Sequence, residues 1–199
     1  MEQERLQDAL SWCDKAIAVQ PEAQAALLLR ANILLHMRRD DEALAAYDRA
    51  VAAKPDYAEA HYHRGSALLL HGRFQEGFED FEYRWQAADC GFDRPKLDAP
   101  AWQGEPLDGK SIVVYSEQGL GDAIQFVRMI PPLAQMGARV TFLCHPNLIR
   151  LFKPFSQYAE IVASCDGGRR FDFQCALMSV PKDLGVGIDS IPGTVPYRS

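Results

Sequence analysis
The 199-residue chain is long enough to bury a sizeable core, and length alone admits one or two domains. Its formal net charge of −6, with basic residues scattered rather than striped, argues against a nucleic-acid partner. No run approaches the roughly 18 apolar residues of a membrane helix and MEQERLQDAL holds no signal core, so the chain reads as a cytoplasmic protein without a transmembrane segment.

Five helices are predicted in the first half, at about 4–19, 23–37, 40–53, 57–71 and 74–88. Cys13, Cys90, Cys144, Cys165 and Cys175 form no C-x-x-C pair, and His61 and His63 sit two apart on a helix and point in different directions. Neither a disulfide framework nor a metal site is expected. An interval of 34 residues relates Pro21 to Pro55, Ala9 to Ala43 and Gly77, Cys13 to Tyr47 and Phe81, and Ala16 to Ala50. Small residues recur where two helices approach, and proline recurs where the second helix stops.

These residues resemble tetratricopeptide repeats: one from about Gln24 to Tyr57, a second from Ala58 to about Asp89, and a leading second-helix half over about Glu4 to Pro21. Leu27 and His61 stand where that family often has Trp, and Ala31 replaces the Gly that Gly65 retains. The resemblance implies that first helices line a groove, turning Leu28, Asn32, Glu59, Tyr62 and Ser66 toward a protein or peptide partner. The alternative is that these side chains are solvated or contact the neighbouring domain. Phe74, Phe78, Phe81, Tyr83 and Trp85 are expected to pack as core or at a domain interface.

Domains are expected at 1–88 (helical repeats) and 110–199 (Rossmann-like α/β), with a connector over 89–109 where Pro and Gly accumulate. Trp102 in that connector should pack against a domain. Strand 112–115 (IVVY) lacks alternation, as a central parallel strand does. Gly119 and Gly121 should let the backbone turn sharply into a helix from about Asp122, with Pro131 and Pro132 interrupting it. Strands at 139–144, 161–163 and 171–175, and helices at about 146–152 and 177–184, complete a mostly parallel, doubly wound sheet.

The loop after the first strand lies where open α/β sheets bind ligands. It is no Walker A loop, because Asp122 and Ala123 follow Gly121 in place of Lys-Ser/Thr. A dinucleotide fingerprint is disfavoured, since Ile124 occupies its third small position and Cys144 and His145 follow the second strand. Asp122 is an N-terminal helix cap, a general base, or both.

The stretch WQGEPLDGKSIVVYSEQGLGDAIQFVRMIPPLAQMGARVTFLC resembles the first Rossmann-like domain of GT-B glycosyltransferases, above all the heptosyltransferase type found fused to tetratricopeptide repeats in bacteria. The resemblance implies that Asp122, after Gly119, Leu120 and Gly121, deprotonates an acceptor hydroxyl for inverting transfer from a nucleotide sugar, the donor substrate rather than a cofactor. Glu117 and Gln118 then orient the acceptor or close the turn, and His145 faces the same crevice or serves a turn. The acceptor would be a glycan, a lipid-linked sugar or a protein.

In that family a second domain binds the donor, so the chain is expected to be a fragment that is inactive alone, with Val195, Pro196 and Tyr197 resembling the connecting segment. An apolar face left by the missing partner domain would offer a route to homo-oligomers. A non-catalytic tetratricopeptide scaffold is the alternative. An O-linked N-acetylglucosamine transferase shares the plan but ordinarily carries a much longer array.

Overall fold
A computed structural model describes residues 2–88, 91, 94–165 and 168–193. Cys90 and the 195–197 segment lie outside them. The chain divides into two compact units, 1–91 and 92–199.

The first unit is a run of helices, α1 (Glu2–Val19), α2 (Gln24–His36), α3 (Asp40–Ala53), α4 (Ala58–Leu70) and α5 (Phe74–Phe81), followed by a 3-10 segment over Glu82–Trp85. Sequential helices pack on one another and bury Leu10, Cys13, Leu27, Ala31, Leu34, Ala43, Tyr47 and Ala50. Of the residues spaced by 34, Cys13, Tyr47 and Phe81 and the small Ala43, Ala50 and Gly77 are buried, Tyr47 and Phe81 being 0% and 6% exposed, whereas Ala16 and the helix-ending Pro21 and Pro55 lie at the surface. Two further features keep that period. Both α2 and α4 end in a Schellman turn, with the Arg39 and Arg73 amides donating to the Leu34 and Leu68 carbonyls at 2.9 and 3.0 Å. Gly72 supplies the left-handed residue of the second turn (φ 74°), whereas Arg38 holds that conformation in the first (φ 58°) at a steric cost glycine avoids. Ion pairs repeat as well, Arg30 with Asp14 and Arg64 with Asp48, then Arg39 with Glu42 and Arg73 with Glu76.

Gly65 marks the closest approach of α4 and α5. A Cβ there would lie 2.7 Å from the Phe81 nitrogen and 2.9 Å from the Gly77 oxygen, both backbone atoms that cannot rotate aside. Gly65→Ala should therefore force the hairpin apart and destabilise this unit by about 1–3 kcal/mol, despite alanine's better helix propensity. Chemical denaturation followed by helical circular dichroism reads this directly; an unchanged or raised midpoint would refute the close-approach account.

The second unit is a four-stranded sheet, β1 (Ser111–Tyr115), β2 (Arg139–Leu143), β3 (Ala159–Val162) and β4 (Phe173–Ala176), all parallel, in the order β3-β2-β1-β4. β1 is central, and Ile112, Val113 and Val114 are completely enclosed, which explains why its sequence does not alternate. Helices α6 (Leu120–Phe126) and α7 (Ile130–Gln135) connect β1 to β2, α8 (Ile149–Phe152) lies between β2 and β3, and α9 (Val180–Asp183) follows β4. Trp102 is 2% exposed in the core of this unit; its amide donates to the Gln174 carbonyl and its indole to the Glu105 carbonyl. At the other end of β1, the Asp172 carboxylate accepts from the Ser111 amide and hydroxyl. The backbone amide leads in holding its pKa below the ordinary range, so this brace weakens as pH falls through that lowered value.

Several expectations shift. Pro131 and Pro132 do not break a helix but begin one, occupying the first turn of α7, where a missing amide hydrogen goes unnoticed; the interruption is a 3-10 turn at Val127–Met129. β3 starts two residues earlier and β4 two residues later than their apolar runs suggest, because the parallel register sets Val140 opposite Ala159 and Ile112 opposite Phe173.

Candidate functional site
β1 delivers the chain into the loop 116–119, and α6 begins at Leu120. Neither glycine of this loop needs a left-handed backbone: Gly119 has φ −64° and ψ 164°, and Gly121 is absent from the positive-φ residues. The turn from β1 into α6 is thus made without a left-handed residue at either glycine. At Gly119 a Cβ would stand 3.2 Å from an Asp122 carboxylate oxygen, while at Gly121 it would meet nothing within 4 Å, leaving open space at an exposed position.

Asp122 is the third residue of α6 and is partly buried; its Oδ2 accepts from the Gly119 amide at 3.1 Å. This is the reaching-back half of a capping box, and it also places negative charge at the first turn of the helix. Its Oδ1 has no partner among the described residues.

Glu117 Oε1 accepts from the Met178 amide at 3.3 Å, and the Leu177 amide donates to the Tyr115 carbonyl at 2.8 Å. The strand order reverses between β1 and β4, which is where open α/β sheets ordinarily hold ligands. Here the Glu117 bond ties the two post-strand loops together. The open space lies instead toward β2 and β3, a cleft of about 300 Å³ whose lining includes Glu117, Gln118, Gly119, Leu120, Cys144 and His145. Asp122 stands beside this cleft, bonded to its Gly119 wall, rather than in its lining.

His145 is exposed, and its Nδ1 accepts from the Asn147 amide at 3.2 Å, capping the turn at Pro146–Leu148. Cys144 is buried, and burial pushes its thiol up to about 11. At pH 8 only about one thousandth of it is thiolate. Iodoacetamide at that pH should therefore label the partly exposed Cys165 well before Cys144, as peptide mapping would show; equal rates would mean the cleft floor opens.

In the repeat unit the five groove candidates take different places. Leu28 is 9% exposed within the core, so it presents almost no surface to a partner. Asn32 accepts the Tyr47 hydroxyl hydrogen at 2.6 Å, and Glu59 accepts the Ala88 amide at 3.2 Å. Ser66 donates to the Tyr62 carbonyl, and the Tyr62 ring lies 5.4 Å from Phe81 and 5.3 Å from His63. Sequence reasoning missed the polar cluster nearby. Asp80, 7% exposed, pairs with His61 Nδ1 at 2.8 Å and takes two bonds from Arg64, whose third nitrogen reaches Asp48; His61 Nε2 lies 3.0 Å from the Pro55 carbonyl and its ring stacks on Tyr83. The 34-residue relation of Asp14 and Arg30 to Asp48 and Arg64 is the signal that could have exposed part of it.

Residues 39–72 match the family model described as TPR repeat, so the chain carries a tetratricopeptide repeat ahead of a parallel α/β sheet. The chain is similar to Protein FlbA of Caulobacter vibrioides, 31% identical over 125 residues, which is 61% of this chain and 21% of that protein. It thus spans about a fifth of the length of this relative. Among solved structures, an O-GlcNAc transferase mutant of Thermobaculum terrenum is similar over 82% of this chain and 39% of its own, with 14% identity and a TM-score of 0.37. Among the described residues, no helix is long and apolar enough to cross a membrane.

Proposed function
We propose that the α/β part, 110–199, is the acceptor-side half of an inverting, nucleotide-sugar-dependent GT-B glycosyltransferase, with the repeats of 1–88 as its partner-binding module. The observation that carries this reading is the loop Gly119-Leu120-Gly121-Asp122. It follows a central buried strand and sets a partly buried carboxylate beside a cleft at the carboxyl ends of parallel strands. Asp122 Oδ1 takes the proton of the acceptor hydroxyl as that oxygen attacks the sugar's anomeric carbon and the nucleoside diphosphate leaves. Asp122 Oδ2 keeps its bond to Gly119, which fixes the carboxylate without consuming the oxygen that acts as base. The donor is held by a further domain, so this chain alone transfers nothing.

A non-catalytic tetratricopeptide scaffold is the second reading, favoured by the one role of Asp122 visible in the fold, that of a helix cap. Incubating radiolabelled nucleotide sugars with cell extract separates the two. Under the first reading the full-length protein incorporates label and the 199-residue chain does not; incorporation by the short chain alone would contradict the division of labour proposed here.

A further inference from the structure
The chemistry of the strand-end cleft specifies more than its position. Among the described residues that line it there is no Lys or Arg. Its polar groups are Ser116, Glu117, Gln118 and His145, set against an apolar wall that includes Leu120 and Leu148. A cavity with a carboxylate and no cation repels phosphate and carboxylate ligands, while an apolar wall facing hydroxyl-pairing groups suits the two sides of a sugar ring.

Two donors are available. The side-chain nitrogen of Gln118 is enclosed in the cleft wall and has no hydrogen-bond partner among the described residues. A buried amide left so is disfavoured, and a ligand oxygen would complete it. His145 accepts through Nδ1 from Asn147, so its neutral ring keeps the proton on Nε2 and offers a second N–H.

We propose that this cleft binds an uncharged, hydroxyl-bearing saccharide, with the Gln118 amide, turned outward about its soft terminal torsion, and His145 Nε2–H donating to its oxygens. This deepens the acceptor-side reading and rests on it: it selects a neutral sugar over a phosphorylated or acidic acceptor. Glu117 is the positioning residue, holding the loop against Met178 so that Gln118 lies on the cleft side.

The test titrates the isotope-labelled chain with methyl glycosides of neutral hexoses and N-acetylhexosamines, and with a hexuronic acid glycoside and a hexose 6-phosphate as anionic counterparts. At least one neutral glycoside should shift the Gln118 side-chain amide and the His145 ring signals, bind at least tenfold more tightly than either anion, and lose at least tenfold in Gln118→Leu. Gln118→Met, without ligand, should raise the melting temperature by about 2–4 °C, because it removes an unpaired buried polar group. A lower melting temperature would make Gln118 a structural hydrogen-bonder and overturn the proposal, as would anions binding equally well or no neutral glycoside touching either residue. If the full-length protein transfers sugar and needs Asp122 while the glycosides fail, the saccharide assignment alone falls. If glycosides bind at Gln118 but no transfer exists, the cleft is a sugar-binding site and the enzymatic reading falls instead.

Discussion

Asp122→Asn in the full-length protein is expected to lower sugar transfer by about 10²–10⁴-fold, the range a positioned general base supplies, while leaving the fold nearly intact. The amide oxygen of Asn can still accept from the Gly119 amide, so the hydrogen bond at the start of α6 survives. What is lost from stability is the negative charge at the helix N-terminus, about 0.3–1 kcal/mol. The paired measurement is therefore initial transfer rate and unfolding midpoint on the same preparation. A large loss of rate with a small change in midpoint assigns Asp122 to chemistry, and retained transfer would assign it to the cap alone.

The second large effect falls in the repeats. Asp80→Ala removes the carboxylate that accepts from both Arg64 and His61 in the α4–α5 hairpin. Breaking a buried pair by deleting one partner costs more than the pair contributes, because the remaining groups stay desolvated. Arg64 keeps Asp48 and is 21% exposed in its side chain, which moderates the loss to about 2–4 kcal/mol. Urea denaturation of the wild type and the Ala variant measures it. A cost below about 0.5 kcal/mol, the size of an ordinary surface change, would show that the cluster is not part of what holds the hairpin together.

Much of the helical half is legible because its signals reinforce each other over 34 residues: Tyr47 and Phe81 occupy core positions, and Gly65 sits where two helices nearly touch. The central strand is equally plain, since an unbroken run such as Ile112–Tyr115 fits a position covered on both faces. What escapes the sequence depends on partners far along the chain. Asp80 looks like any surface acid until α4 brings His61 and Arg64 against it. Prolines 131 and 132 cannot be told from helix breakers without knowing that a new helix starts at Ile130. Gly119 and Gly121 suggest a sharp turn, but not that one avoids the capping carboxylate and the other keeps space open. At the site, the GLGD loop and its neighbours at 117, 118 and 145 are readable as a group. That Glu117 closes the β1/β4 crevice and moves the open space toward β2 and β3 follows only from the fold.

Whether these repeats and this sheet belong to a larger sugar-transferring protein with a separate donor-binding domain can be read from the size of the native product. An antibody against the repeat half, used on lysate of the source cells, reports it without knowledge of donor or acceptor. A single species is expected, larger than the 22.3 kDa of this chain by at least one domain of ordinary size, roughly 100 residues or more. A native species at 22.3 kDa would contradict it and leave the scaffold reading standing.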